Sequence, residues 1–424
     1  MNPGVVVILL LLGLAFLGIP IYIALGIGTL VALNMAGMPV MVLPQRLFSG
    51  MNSTSLLAIP FVILAGNIMS RSITTKLINV ANALIGWIRG SLALVTVLAS
   101  ALFGAISGSG VATASAIGGL TIPAMKKEGY PAPFATAVAS ISSIMGPIIP
   151  PSITLIVYAS ITNVSVSALF MGSVLPGVIL AASLICYGLY YGKKYDLPAH
   201  EKQKPKQIAL TFKDSIWALL LPVIILGGIF GGVYTPTEAA AVAVAYALII
   251  SLFVYKDMKF KEIPGVFIDA AISTATIMVM VGLSKASSYV VVTSGLPQQM
   301  LELFSSVTNS KFVILLLLNL LFLIIGMLME ANAAIIMMTP ILLPLLQAFG
   351  INTLQFGIIM SFNLCIGLVT PPVGMCLLLG NQIGGTSLSK SLKAMMPMLI
   401  IAIVVLMLIT YVTPLTTWLP GVLS

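Results

Sequence analysis

The chain has 424 residues, of which 59% are hydrophobic and 7% charged, with a mean hydropathy of +1.17. A soluble fold cannot absorb so many uninterrupted apolar runs, so the composition specifies a polytopic membrane protein. The net charge of +9 sits in loops between apolar runs; it reads as an orientation signal and an attraction to anionic lipid, with no nucleic-acid footprint.

In chain order, Val5–Ala36 is apolar and uncharged at both flanks, so it reads as a retained span kinked at Pro20 and not as a signal peptide. Leu56–Met69 is a second span. Ile73–Arg89, punctuated by Lys76, Trp87 and Arg89, reads as an amphipathic helix lying along the interface. Ser91–Ala124 carries the polar tip Ser107-Gly108-Ser109-Gly110 between apolar runs, each too short for the ~20 residues that cross a bilayer. We read it as a re-entrant hairpin.

Next comes Ala132–Ile161, an apolar run interrupted by Gly146-Pro147-Ile148-Ile149-Pro150-Pro151-Ser152. Two adjacent prolines remove two backbone donors and push each preceding residue out of the α region, so this helix must stop and restart. A span at Ala168–Gly192 follows, then a basic loop at Lys193–Lys213 holding the single histidine, His200, and spans at Ser215–Val233 and Ala239–Tyr255. After the loop Lys256–Glu262, Val266–Thr293 spans and Pro297–Val307 is amphipathic. Phe312–Phe349 is a second hairpin with its tip near Glu330, Val369-Thr370-Pro371-Pro372-Val373-Gly374 is a second break, and Ala394–Val412 is the last span.

Pro371 lies 221 positions after Pro150, and the same offset pairs Gly146 with Gly367, Pro123 with Pro344, Gly129 with Gly350, Ser140 with Ser361 and Pro176 with Pro397. One register holding so many Pro and Gly pairs identifies an internal repeat. With the N-terminus inside, 16 of the 19 basic residues fall on the cytoplasmic side; Arg46 and Lys311 fall outside and Lys285 within a span. On that path Leu56–Met69 runs inward and its repeat mate Val266–Thr293 runs outward. The repeat is therefore inverted, the hairpins enter from opposite faces, and the C-terminus is periplasmic. Inverted repeats with discontinuous helices are an architecture of secondary transporters, with the binding site at the breaks.

Non-helical backbone at membrane depth is tolerated where it lines a polar cavity or is buried in protein. Ser107, Ser109 and the carbonyls around Gly146–Ile149 and Gly367–Thr370 offer oxygens suited to a hard cation such as Na⁺; the same Gly and Ser residues also suit close helix packing. Ser152, opening a half-helix, is placed either to meet a carboxylate at a positive helix end or to serve as an N-cap. Glu330 is an intramembrane carboxylate by position, either functional or exposed to water at a tip, and Lys285 either pairs within the membrane or snorkels. Cys186, Cys365 and Cys376 stand at no metal spacing. No nucleotide loop, metal cluster or catalytic Ser/His/Asp set is visible, so the chain reads as a non-enzyme.

Ser-Gly-Ser-Gly at 107–110, Gly-Pro-Ile-Ile-Pro-Pro-Ser-Ile from Gly146, Met-Leu-Met-Glu-Ala-Asn-Ala-Ala around Glu330 with the following Thr-Pro-Ile-Leu-Leu-Pro, Val-Thr-Pro-Pro-Val-Gly from Val369, and Leu-Leu-Ala-Ile-Pro-Phe-Val-Ile-Leu-Ala-Gly from Leu56 resemble the large membrane subunit of tripartite ATP-independent periplasmic (TRAP) transporters. The resemblance covers essentially the whole chain. It implies an all-α, elevator-type ion-transporter architecture in the bacterial inner membrane, and Na⁺-coupled symport of an organic acid with two or more Na⁺ and no organic cofactor. The implied substrates are C4-dicarboxylates, sugar acids and sialic acids, and the implied partners a small membrane subunit and a periplasmic solute-binding protein. Some members fuse the two membrane subunits; this chain reads as the large one alone.

On this chain the resemblance implies substrate contacts at Ser107, Ser109, Ser152, Glu330 and Asn332. It implies Na⁺ held by Ser107, Gly108, Gly146 and Ile149 at one hairpin–break pair, and by Met329, Ala331, Gly367 and Thr370 at the other. Glu330 stands where the family often has Asp, a side chain longer by one methylene. The competing readings are a stand-alone Na⁺/carboxylate symporter with related hairpins and a channel, whose continuous pore the hairpin tips would obstruct. The sequence divides into 1–90 (scaffold helices and arm), 91–192 (first transport half), 193–311 (basic loop, scaffold helices and second arm) and 312–424 (second transport half).

Overall fold

A computed structural model describes residues 1–199, 202 and 204–423; His200 lies outside them. They form helices and turns with no strand, and eight of the helices are long and apolar enough to cross a membrane.

The N-terminal segment departs from the expected single kinked span. It forms two helices, α1 (Pro3–Phe16) and α2 (Ile21–Met35), separated by Gly18 at φ +83° and by Pro20. They fold back on one another: a Cβ at Gly28 of α2 would lie 3.2 Å from the Val7 carbonyl oxygen of α1. Each is roughly 21–23 Å long, short of a bilayer core of about 30 Å. The fold-back also corrects the path of the chain, which was expected to put the N-terminus and the end of Val266–Thr293 on opposite faces. The Asn2 side chain instead donates to the Ser294 carbonyl at 2.9 Å and to Gln299 Oε1 at 3.1 Å, so both ends lie on one face.

The span expected at Leu56–Met69 is the second limb of a longer, broken element. Helix α3 (Val42–Met51) meets the segment leading into α4 (Ala58–Ser72) at a bend of 61°, across the polar run Asn52-Ser53-Thr54-Ser55. Amphipathic α5 (Thr74–Ile85) then leads to the first hairpin, α6 (Ser91–Ser107) and α7 (Gly110–Lys127). The first broken helix is α8 (Ala132–Ser143), the single turn α9 (Met145–Ile148) and α10 (Ile153–Thr162), and α11 (Val166–Lys194) follows.

Helix α12 (Pro205–Phe230) starts inside the expected basic loop and carries Lys206 and Lys213 on its first turns. Its mate α13 (Pro236–Ile249) runs on into a π-helical turn over Ile250–Val254. Then come the unbroken α14 (Ile263–Thr293), amphipathic α15 (Leu296–Val307), and the second hairpin, α16 (Lys311–Leu328) and α17 (Ala331–Ala348). The second broken helix is α18 (Thr353–Gly367) with α19 (Met375–Gly384); α20 (Leu388–Tyr411) is the last long span, and a short α21 (Pro414–Leu423) closes the chain.

Helix bounds recur 221 residues apart: Val42 to Ser72 with Ile263–Thr293, and Gly110–Lys127 with Ala331–Ala348. The first hairpin's base lies beside the end of α19, just ahead of α20, through Lys126 Nζ donating to the Gly384 carbonyl at 2.8 Å. The second hairpin's base lies beside the end of α20, where Tyr411 Oη donates to the Phe312 carbonyl at 3.2 Å. Burial separates the layers. The most apolar window of Ala132–Thr162 is 94% buried, against 22% for Pro205–Phe230, which places the broken helix at the centre and α12 on the outside.

Candidate functional site

Each break follows from where prolines cannot donate. In a continuing helix the carbonyls of Gly146 and Pro147 would pair with the amides of residues 150 and 151, and those of Gly367 and Leu368 with residues 371 and 372; all four are prolines. Side chains or displaced backbone supply substitutes. Ser152 Oγ donates to the Pro147 carbonyl at 2.5 Å and Thr154 Oγ1 does so at 3.3 Å. The Cys376 amide donates to the Leu368 carbonyl at 2.9 Å, and Thr370 donates to the Gly367 carbonyl from both its amide and its hydroxyl, each at 3.2 Å.

The first hairpin tip closes on the first break. Gly108 ends α6 at φ +60°, a left-handed conformation that disfavours any side chain, and a Cβ there would lie 2.6 Å from the Pro151 carbonyl oxygen. Gly146 approaches so closely that a Cβ would lie 2.5 Å from the Ser109 carbonyl oxygen and 2.7 Å from Thr113 Oγ1. Within the tip, Thr113 Oγ1 donates to the Ser109 carbonyl at 2.7 Å and lies 3.3 Å from Ser107 Oγ. Ser109 Oγ caps α7 by accepting the Ala112 amide.

At the second pair the Val373 amide donates to the Met327 carbonyl at 3.2 Å, and Gly367 packs directly on the Gly326 backbone. Met329 is extended, and Glu330 caps α17 by accepting the Ala333 amide on Oε2 at 3.2 Å. The halves interlock: α10 packs on α17 and α19 on α7, and a Cβ at Gly110 would lie 3.0 Å from Leu368 Cδ1 and 3.4 Å from Cys376 Sγ. The N-termini of α7, α10, α17 and α19 thus all lie at these two tip–break contacts.

The structure brings together most of the residues singled out from the sequence, in two groups. Ser107, Gly108, Ser109, Gly146, Ile149 and Ser152 form one group around the first tip, with Ser107 and Ser152 buried. The Ser152 hydroxyl donates to Pro147, accepts the Leu155 amide at 3.3 Å and lies 2.8 Å from Thr154 Oγ1, so it acts as an N-cap inside a network. Met329, Glu330, Ala331, Asn332, Gly367 and Thr370 lie at the second pair. Here Asn332 Nδ2 donates to Glu330 Oε1 at 2.7 Å, while Asn332 Oδ1 is buried with no protein partner.

Glu330 and Asn332 also line a cavity of about 480 Å³ with Pro20 at the α1–α2 turn, Tyr22 at the start of α2, and Ser273, Thr276 and Met280 of α14. Ser107, Ser109 and Ser152 do not line it. Sequence reasoning missed Thr113 and Thr154, although each is a hydroxyl close in sequence to a tip or break serine and was findable on that ground. Ser273 and Thr276 carried no local signal, since only the fold sets α14 against the second tip. Lys285, the one cation expected within a span, lays its stem on α3: a Cβ at Gly50 would lie 2.6 Å from Lys285 Cγ.

Residues 6–415 match the family described as the tripartite ATP-independent periplasmic transporter, DctM component. The chain belongs to this family. As a TRAP large permease it is a transporter component and not an enzyme, with the multi-pass helices that role requires. It is 38% identical to the C4-dicarboxylate TRAP transporter large permease protein DctM of Pseudomonas aeruginosa, over 89% of this chain and 88% of that one. It is 37% identical to the isethionate TRAP transporter permease protein DctMQ of Oleidesulfovibrio alaskensis, over 95% of this chain and 64% of that longer one. Among solved structures, the YdaH transporter of Alcanivorax borkumensis shares the fold at a TM-score of 0.58 and 16% identity, over 86% of each chain.

Proposed function

We propose that this TRAP large permease imports a small organic anion across the inner membrane by Na⁺-coupled symport, together with a small membrane subunit and a periplasmic binding protein. The observation that carries the reading is the interlock of two hairpin–break pairs, each with carbonyls deprived of helical donors by a Pro-Pro pair. Oxygen ligands of that kind suit Na⁺ better than a transition metal, which favours nitrogen and sulfur. Ser107, Gly108, Gly146 and Ile149 would hold one ion, and Met329, Ala331, Gly367 and Thr370 the other; bound there, Na⁺ supplies positive charge that favours an anionic substrate. Ser107, Ser109, Ser152, Glu330 and Asn332 are the proposed substrate contacts, with Glu330 and Asn332 reaching it through the cavity against α14.

In this reading the 221-residue recurrence is an inverted repeat. Residues 91–192 and 312–424 form an elevator-type transport unit, and 1–90 and 193–311 form the scaffold and arms. The lysine-rich face is cytoplasmic, which puts both termini in the periplasm. Named relatives handle C4-dicarboxylates and the sulfonate isethionate, so the proposed class is an organic anion whose charged group is a carboxylate or a sulfonate, sugar and sialic acids included. Uptake of such anions into proteoliposomes, with and without Na⁺ and with and without the two partners, tests it. Uptake that ignores Na⁺ and follows a pH gradient refutes the coupling, and full activity without partners favours a stand-alone symporter.

A further inference from the structure

On the lysine-rich face, far in sequence from both tips, a cleft of about 740 Å³ lies among α5, the start of α12 and the end of α13. The π turn at Ile250–Val254 ends α13, with the Tyr255 amide bonding the Ile250 carbonyl at 2.8 Å, and delivers Tyr255 to α12, where its Oη accepts the Ala218 amide at 3.2 Å. Lys76 of α5 holds its ammonium 5.3 Å from the centroid of the same ring. The walls add Lys213, Asp214 and Trp217 of α12 and Asp257. Two cations and two carboxylates thus surround an aromatic wall, and Phe253 and Val254 beside it stay exposed on a spanning helix.

We propose that this cleft is a binding site for the headgroup of a phospholipid carrying a primary amine, of the phosphatidylethanolamine class. Lys76 and Lys213 suit the phosphate, and the carboxylates of Asp214 and Asp257 accept from an ammonium; each carboxylate has lone pairs for more than one donor. A purely anionic headgroup would set its charge against both carboxylates. A choline headgroup has no N–H to donate. Trp217 and Tyr255 are the amphipathic rings that settle at the membrane–water boundary, and the exposed Phe253 and Val254 give the acyl chains a surface. Because α5 joins α4 to the first hairpin, a lipid held here ties that arm to α12 and α13.

The test uses the full chain with Trp87→Phe and Trp418→Phe, leaving Trp217 as the only tryptophan and so the only side chain excited selectively above the tyrosine band, in vesicles doped with brominated phosphatidylethanolamine, phosphatidylcholine or phosphatidylglycerol. The expected result is half-maximal quenching of Trp217 by the ethanolamine lipid at a mole fraction lower by roughly tenfold, the size of losing one charge-assisted hydrogen bond. Lys76→Gln with Lys213→Gln should abolish that preference. Asp214→Asn should shift it toward phosphatidylglycerol, which keeps the test decisive if the double variant does not fold. Equal quenching by the three lipids, a preference for phosphatidylglycerol in the unaltered site, or shielding of Trp217 by the small membrane subunit with no lipid preference overturns the proposal.

Discussion

Ser152 Oγ donates to the carbonyl of Pro147 at 2.5 Å, taking the place of the amide that Pro151 lacks. Ser152 is fully buried and also caps α10, so its removal acts on stability as well as on transport. Ser152→Ala should destabilise the detergent-solubilised protein by about 1–3 kcal/mol, the cost of a lost cap and an undersatisfied buried carbonyl. Thermal unfolding checks this, with Thr154→Val as the milder comparison because Thr154 reaches the same carbonyl at 3.3 Å. A Ser152→Ala protein with unchanged stability and weakened substrate affinity alone would show a hydroxyl serving the substrate and not the break.

Gly146 has no room for a methyl group, because the nearest atom is backbone oxygen of the opposing tip. Gly146→Ala should therefore pry the first tip from its break and abolish Na⁺-dependent uptake. Gly119→Ala, on the same hairpin with open space around it, should leave uptake intact and stabilise α7 by about 0.5–1 kcal/mol. Uptake and thermal unfolding of the two variants side by side separate a packing requirement from a general intolerance of change in the hairpins. Equal uptake by both would remove the tip–break seam from the mechanism.

Glu330 accepts from Asn332 on one oxygen and from the Ala333 amide on the other, and both contacts need acceptors more than charge. Glu330→Gln should keep the fold and retain Na⁺-dependent uptake with weaker substrate affinity; Glu330→Ala should lose the cap as well. Thr276→Cys, on the far wall of the same cavity, should react with a negatively charged thiol reagent and be protected by substrate. Loss of both Na⁺ and pH dependence in Glu330→Gln would make the charge itself part of coupling. Labelling that ignores substrate would take the cavity out of the path.

The two breaks and both tips were legible because Pro-Pro and Gly act on the backbone locally, whatever the rest of the chain does. Gly18 and Pro20 act locally too, yet a kink and a fold-back begin with the same residues. What decides between them is the seat of Gly28 on Val7, a contact between segments that no periodicity encodes. The break at Asn52–Ser55 went unread for a related reason: its 221-residue counterpart lies within the continuous helix α14, so the repeat concealed it. At the site, residue types were legible and their allegiance was not. Ser152 satisfied the pattern of a ligand and of a cap alike, and the structure gives it three internal partners.

The fold-back of α1 on α2 has a consequence for sidedness that labelling can read directly. Asn2 bonds Ser294 and Gln299, so cysteines placed at Asn2 and at Ser294 should react from the same side of the membrane. A cysteine at Lys127, at the base of the first hairpin, should react from the other. Cys186 is accessible and must first be made Ser, whereas Cys365 and Cys376 are fully buried. In intact cells a membrane-impermeant maleimide should label the first two positions and spare the third until the membrane is opened. Labelling of Asn2→Cys only after opening, with Ser294→Cys labelled before, would restore a single N-terminal span and with it a cytoplasmic N-terminus.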